Sequence, residues 1–311
     1  MGTRARLGGI VGASMPKPIL FKPVENPYLV PFDDSFKLSK TDTDPKTNPG
    51  KKENVAALDE HVEKLSKLQG KLYAQDRYSV ILIFQALDAA GKDGTIRAVM
   101  SGVNPQGCQV YAFKQPSAEE IDHDFLWRIQ RALPERGRIG IFNRSHYEEV
   151  LVVRVHPEYL GSQRLPHLPK DLDELWDERF DSINEAERHW ARNGAVILKF
   201  FLNVSQKEQH KRFLERIVDT EHNWKFSGSD MKESAHWDDY QKAYSAALDA
   251  TSKPWAPWYC IPADSKSYMR RIVAETIVDT LAQLDIEYPV VSDEQKASME
   301  KVRRTLEAEM R

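Results

Sequence analysis

A lysine behind a glycine, with an aspartate four residues earlier, is the first group in this chain that could do chemistry. Asp88 and Gly91-Lys92 lie in ALDAAGKDGTI, residues 86–96, after the apolar run SVILIF at 79–84. Strand, tight turn and helix are the setting of a phosphate-binding loop, G-x-x-x-x-G-K-[ST]. Its backbone N–H groups face phosphate oxygens, its lysine neutralises charge and its hydroxyl holds Mg²⁺. Here the rule is broken twice: Ala86 replaces the first glycine and Asp93 the hydroxyl residue. Bound phosphates would repel the Asp88 carboxylate unless a divalent cation lay between them. The lost hydroxyl and the gained Asp88 therefore read as one change, in which Mg²⁺ moves to a carboxylate ligand. Lys92 and the amides of Ala89, Ala90, Gly91 and Asp93, with Gly94 beside them, are expected to bind the phosphates being exchanged. Asp93 either assists at the metal or stabilises the helix N-terminus.

A second element is IGIFNRSHYEE, residues 139–149, where an apolar run ends in Asn143-Arg144. Phosphate-loop enzymes commonly place an acidic metal ligand at such a strand end. Asn143 can orient a metal-bound water or a phosphate but brings no charge, whereas Arg144 can fork two phosphate oxygens. A third is the basic stretch QKEQHKRFLERI at 206–217, in which Arg212 and Arg216 stand four apart and so project from one helix face. Lys211 and Lys225 would extend that basic path. Ser205 followed by Glu208 reads as a capping box opening this helix. The polar hairpin at about 205–252 is either a solvated surface or a mobile lid over phosphates.

These groups need a frame. SVILIF, CQVYAF (108–113), IGIF (139–142), AVILKFFL (195–202) and WYCIP (258–262) do not alternate in polarity, so each reads as a strand buried on both faces of a parallel sheet. Helical segments separate them: one after Lys92, one at about 118–133, and one at about 172–192 with Gly194 as its stop. Before the first strand, Val55, Leu58, Val62, Leu65, Leu68 and Leu72 mark one helix face. The expectation is an α/β doubly wound fold with its ligand at the carboxyl ends of the strands. Residues 1–52 read as an extended arm touching the core through Tyr28, Leu29, Val30 and Phe32, and residues 53–290 as the main domain. Residues 291–311 read as a charged helix, docked or oligomer-forming, with Met299, Val302 and Leu306 on one face.

The chain has 311 residues, 29% of them charged, and a net charge of −3. That balance gives no global attraction to polyanions, so an anion site must be a local concentration of Lys and Arg. The two cysteines, Cys108 and Cys260, read as reduced packing thiols rather than a disulfide or metal set. No apolar stretch reaches the ~20 residues a bilayer span needs. The start, MGTRARLGGIVG, makes no convincing signal peptide, and Arg6 breaks the myristoylation pattern. A cytoplasmic location and no membrane partner follow as expectations.

Taken in order, ALDAAGKDGTI, GVNPQGCQVYAFKQPSAEE, FNRSHYEEVLVVRVHPE, RFLERI, WKFSGSDM, WDDYQKAY and PWAPWYCIPADSK resemble the polyphosphate kinase 2 family over about residues 30–285. That resemblance implies a P-loop kinase-like (thymidylate-kinase-like) fold with a five-stranded parallel sheet and a helical lid. It implies Mg²⁺, with Mn²⁺ as its substitute, and a homo-oligomer, dimer or tetramer. It also implies phosphoryl transfer between inorganic polyphosphate and adenine nucleotides, with guanine nucleotides as a further option. Members similar to the ADP-preferring subgroup show G-x-D-x-x-G-K-G-G and Asp-Arg-Ser-Trp-Tyr-Asn. This chain has Ala86, Asp93, Asn143, His146 and Glu148 at the corresponding places, and so looks like the subgroup acting on both AMP and ADP. Asn143 and Glu148 are the nucleotide-selection candidates, and Arg128 matches a further phosphate position.

In this reading Asp88 holds the metal, Arg144 clamps the nucleotide phosphate, and Arg212 and Arg216 serve as lid arginines on an exposed helix. His146, His210 and His222 take solvated or hydrogen-bonding roles rather than carrying phosphate. Two alternatives stand beside it. An ATP-dependent nucleoside monophosphate kinase would need ATP as donor. A non-enzymatic polyanion or RNA binder would have no use for Asp88, and RNA-binding aromatic motifs are missing from the chain.

Overall fold

The structure is a computed structural model describing residues 19–220, 223 and 228–310. His222, Lys225 and the first part of the arm, with the MGTRARLGGIVG start, lie outside the described residues. In chain order the elements are α1 (Lys51–Gln75), β1 (Ser79–Gln85), α2 (Lys92–Val99), β2 (Cys108–Ala112), α3 (Ala118–Ile121), α4 (Trp127–Arg131) and β3 (Ile139–Asn143). Then come α5 (Val152–Val155), α6 (Leu160–Gln163), α7 (Leu172–Arg192), β4 (Ala195–Asn203), α8 (Gln206–Val218), α9 (Gly228–Ser234), α10 (Trp237–Thr251), β5 (Trp258–Pro262), α11 (Lys266–Leu281) and α12 (Asp293–Glu309).

All five strands pair in parallel, in the order β2-β3-β1-β4-β5. Both faces of the central strands are covered, which is why β1 reads as an apolar run and β4 as one interrupted only by Lys199 before its terminal Asn203. Val80, Leu82 and Phe84 pack toward α1, α2 and α11, while Ile81 and Ile83 pack toward α7 and α10. Leu58, Leu65 and Leu72 form the buried stripe of α1, each contributing roughly 1.5–3 kcal/mol of apolar burial. The arm adds to the β5 side: Val30 donates its N–H to the Trp258 carbonyl at 2.9 Å, and Cys260 donates to the Tyr28 carbonyl at 2.8 Å.

The chain leaves β1 into α2 on one face of the sheet and leaves the adjacent β3 toward α7 on the other. Neighbouring strands whose exits diverge open a crevice at their carboxyl ends. The register pairs Phe84 with Asn143 and so brings the loop after β1 beside the end of β3.

Several expectations need correction. The β2 strand lies at the sheet edge and is only partly buried, with Val110 exposed. The expected helix at about 118–133 is two short helices, α3 and α4, separated by a turn at Asp124, whose carboxylate accepts from the Leu126 N–H. Ser205 caps α8 by accepting from the Glu208 N–H, but the capping box is incomplete: the Ser205 N–H donates to Asp264, and the Glu208 carboxylate binds Arg212. The helix α12 forms as expected yet buries no residue, and Met299, Val302 and Leu306 are exposed. Among the described residues no helix is long and apolar enough to cross a membrane, and Cys108 and Cys260 are free thiols.

Candidate active site at the carboxyl edge of the sheet

The loop from β1 to α2 shows why two departures from the phosphate-loop pattern are tolerated. Ala86 is not among the residues with positive φ, so its place needs no glycine; the left-handed positions are Ala89 (φ 62°) and Gly91 (φ 110°). A side chain at Gly91 would be strained by that φ and would crowd Met269 at 3.3 Å. Lys92 curls back so that its Nζ donates to the Ala86 carbonyl at 2.7 Å. Within the loop the Ala90 N–H donates to Leu87 at 3.3 Å. No side chain caps α2 at Gly91, which leaves the first-turn N–H groups of Lys92, Asp93 and Gly94 facing outward from a helix N-terminus. Asp93 accepts a hydrogen bond from Asn143 Nδ2 at 2.7 Å. The two departures at 93 and 143 are thus partners: an amide at the strand end holds the carboxylate that replaced the hydroxyl.

Arg144 leaves β3 in the left-handed region, φ 64°, a strained backbone for a non-glycine residue. Its N–H donates to the Phe84 carbonyl at 3.0 Å, and its guanidinium pairs with Asp88 Oδ1 at 2.8 Å and lies 4.0 Å from Glu148. Glu148, with Asp88 behind it, holds the Arg144 proton above its ordinary affinity. Burial raises the Glu148 carboxyl, against the pull of Arg144 and Lys92. The Gln85 amide fits best with its nitrogen donating to Glu148 at 2.9 Å and its oxygen accepting from Ser145. Burial, and then the charge of Arg144, lower Lys92 to about 8.

A cleft of about 860 Å³ opens over this loop, lined by eight basic and four acidic side chains. Asp88, Ala89, Gly91, Lys92, Asp93, Gly94, Asn143, Arg144, Arg212 and Arg216 all line it. Ala90 and Glu148 do not. Four cations of the cleft were not singled out from the sequence: Arg97, Lys114, Lys266 and Arg270. Lys114 and Lys266 stand inside AFKQPSAEE and PADSK, so a signal existed. Arg97 and Arg270 carried none, because they meet only when α2 packs on α11. Arg270 makes no hydrogen bond or ion pair with any described residue, and its Nε is buried without a partner. Burial and the charges of Arg97 and Arg212 push its proton affinity down.

Three assigned residues sit differently from expectation. Arg212 is not an exposed lid arginine. It is 5% exposed, and its guanidinium donates to Glu208, to the carbonyls of Ala89 and Ala90, and to those of Ala263 and Asp264, at 2.6–3.2 Å. It ties the phosphate loop to the loop after β5, because α8 crosses directly above both. Arg128 does not line this cleft: it is buried, donates to the Lys114 carbonyl at 2.9 Å and lies over the Phe113 ring. Lys211 is exposed and ion-paired with Glu208 and Glu215, in a groove that joins the cleft at Lys266 and Arg270. Arg216 is half-buried and faces the cleft. Of the histidines, His210 hydrogen-bonds Ser234, while His146 is fully buried, 3.4 Å from Glu187, rather than solvated.

Behind the Asp88–Arg144 pair lies a second cavity of about 320 Å³, with Glu148, Gln209, Glu233, Trp237, Tyr240 and Tyr244 in its walls. Asp88, Arg144 and Gln115 line both spaces. Among the described residues no group of three or more His, Cys, Asp or Glu could cage a metal. Asp88 Oδ2 has no hydrogen-bond partner among them, which suits an ion that takes one or two carboxylates and completes its shell with phosphate oxygens and water, the habit of Mg²⁺.

Residues 48–289 match the sequence model of the polyphosphate kinase 2 family. An ADP-polyphosphate phosphotransferase of Rhodopseudomonas palustris is 53% identical over 245 residues, 79% of this chain and 85% of that protein. An AMP/ADP-polyphosphate phosphotransferase of Meiothermus ruber is 42% identical over 266 residues, 84% of this chain and 94% of that one. The crystal structure of polyphosphate kinase 2 from Arthrobacter aurescens superposes with a TM-score of 0.80 at 36% identity, covering 87% of this chain and 93% of that one.

Proposed function

The chain belongs to the polyphosphate kinase 2 family, and from that premise we propose that it transfers a phosphoryl group from inorganic polyphosphate to AMP and to ADP, reversibly. The observation that carries the reading is the Asp88–Arg144 pair standing in the wall between two cavities of unlike chemistry. The larger is rich in cations and poor in aromatic surface, which suits a chain of phosphates. The smaller has Trp237, Tyr240 and Tyr244 in its walls, which suits a nucleoside. Donor and acceptor phosphates would then meet at the shared wall.

The acceptor is already anionic. A terminal phosphate oxygen of the nucleotide attacks the terminal phosphorus of polyphosphate, a new P–O bond forms, and the old P–O bond breaks to release polyphosphate one unit shorter. No proton is removed, so no general base is required; the work is positioning and charge neutralisation. Lys92 and the outward amides of 91–94 hold the donor phosphates. Arg144, fixed by Asp88 and Glu148, clamps the acceptor phosphate and stays charged throughout. A Mg²⁺ ion (or Mn²⁺), with Asp88 as its protein ligand, would supply further neutralisation between the two phosphate groups. Arg216, Arg270 and Lys266 continue the track along the cleft, while Arg212 keeps the loop in place.

Asn143 and Glu148 are the residues that let acceptors of two lengths react. Asn143 fixes Asp93 beside the donor, and Glu148 sets the position of Arg144 facing the acceptor. Adenine nucleotides are the proposed acceptors, with guanine nucleotides in second place. A homo-oligomer would find apolar surface on α12, and a cytoplasmic setting is proposed with it. Product analysis with long-chain polyphosphate, Mg²⁺, no ATP, and AMP or ADP in turn tests the reading. ADP and then ATP are expected to form from AMP. Transfer only when ATP is supplied would instead make the chain a nucleoside monophosphate kinase, and binding without transfer would make it a polyanion binder. Transfer to ADP alone would overturn the dual acceptor range.

A further inference from the structure

Lys199 lies in the middle of β4 and is fully buried. Its ammonium uses all three protons, donating to Glu187 Oε2 at 2.6 Å, to the Tyr147 hydroxyl at 2.8 Å and to the Thr251 carbonyl at 2.8 Å. The Tyr147 hydroxyl in turn donates a hydrogen bond to Glu187 Oε1 at 2.9 Å. None of these groups lines either cavity, and phosphoryl transfer does not use them. Yet two of them, Tyr147 and Thr251, belong to segments that carry the site. Tyr147 is three residues beyond Arg144 and one before Glu148. Thr251 is the last residue of α10, which presents Tyr240 and Tyr244 to the smaller cavity. Glu187 belongs to α7.

A buried ion pair is a poor way to add stability, since desolvation offsets the attraction and apolar residues of similar volume often do as well or better. What such a junction does supply is direction. Three hydrogen bonds from one ammonium fix three elements in one mutual geometry, where apolar packing alone would tolerate small slides. The loop it fixes is under strain, because Arg144 sits at φ 64° and must be held there by its surroundings.

We propose that Lys199, Glu187 and Tyr147 form a positioning junction that sets Arg144 and Glu148 against the aromatic wall of α10, and so controls the placement of the acceptor nucleotide. This rests on the assignment of the smaller cavity to the nucleotide. Burial pushes the Lys199 proton affinity down while the Glu187 carboxylate beside it opposes the loss, which keeps the pair ionised at neutral pH.

The test uses two variants of the full chain, Tyr147→Phe and the apolar double variant Lys199→Met with Glu187→Leu. Melting, steady-state kinetics in both substrates and direct calorimetric binding of ADP are measured. For Tyr147→Phe the expected result is a kcat about 10-fold lower, a nucleotide KM raised about 3-fold, and an unchanged KM for polyphosphate, because the cation cleft is untouched. The double variant should melt no lower than wild type and still show the same kinetic split. Unchanged kcat and nucleotide KM in Tyr147→Phe, with only melting lowered, would make the junction purely structural and overturn the proposal; that variant alone decides if the double variant does not fold. Calorimetry separates the two readings: wild-type protein that binds ADP without turning it over refutes the transfer reaction, while undiminished ADP binding in Tyr147→Phe refutes the junction.

Discussion

Lys199 and Arg270 are both cations drawn out of water, and the chain treats them in opposite ways. Lys199 meets a carboxylate, a hydroxyl and a carbonyl, so every proton is placed. Arg270 meets no acceptor among the described residues and instead faces Arg97 and Arg212. The first region sits behind the sheet and is complete as folded. The second lies over the loop after β1 and, in the proposed reaction, is completed when the polyphosphate anion enters. Burying a charge without a partner is costly, so Arg270, whose Nε is buried without an acceptor beside two other arginines, stands where stability gives way to electrostatic repulsion. The two arginines of α8 also differ in placement: Arg212 is buried against backbone carbonyls and Arg216, half-buried, lines the cleft.

The hardest test of that contrast lies at the shared wall. Lys92→Ala and Asp88→Asn should each lower the transfer rate by 10² or more, on the order of 3 kcal/mol in the barrier, while the protein stays folded. Near-wild-type turnover in either would remove the loop from the mechanism. Arg212→Met should act on the other side of the comparison. Four carbonyls and Glu208 would lose their donor, costing roughly 2–4 kcal/mol of stability, seen as a lower denaturant midpoint. A midpoint equal to wild type would return Arg212 to the exposed lid role read from the sequence.

Arg270→Gln should do the reverse, raising the KM for polyphosphate about 10-fold, or ~1.4 kcal/mol, with melting equal to or above wild type because a repelled cation has been removed. Lost stability there would mean that Arg270 is structural.

Lys92 gives the comparison a pH dependence. Its folded affinity is lowered to about 8, so the folded chain releases this proton more readily than the unfolded one. Its contribution to stability is present at high pH and is lost as pH falls through 8. Phosphate binding has the opposite sign, since an anion holds the proton on. Polyphosphate kcat/KM should therefore fall above pH 8, about 10-fold per unit once past the midpoint, and Lys92→Arg should remove that limb at whatever activity it retains. A flat profile between 7 and 9 would show that Lys92 does not contact the donor. The smallest effect is expected from Glu148→Asn, a several-fold shift in the ratio of AMP to ADP activity, measured at saturating polyphosphate. An unmoved ratio would exclude Glu148 as the selector.

Local sequence determined the strands, the phosphate loop and the strand-end Asn143-Arg144, because each depends on residues adjacent in the chain: apolar runs set β1, β3, β4 and β5, and a glycine at φ 110° sets the turn. It also fixed the family, through separated motifs in the right order. The tertiary structure alone decided partnerships across elements. Asp93 and Asn143 are 50 residues apart and bond only because β1 and β3 are neighbours. Arg212 reads as surface in a basic helix, yet it is buried because α8 passes over four backbone carbonyls to which its guanidinium donates. Arg97 and Arg270 carry no local signal; they line one cleft because α2 and α11 pack together. Lys199, a lone charge inside AVILKFFL, is legible in the sequence as an anomaly. What it is for depends on Glu187, Tyr147 and Thr251, which only the packing of α7 and α10 against the sheet supplies.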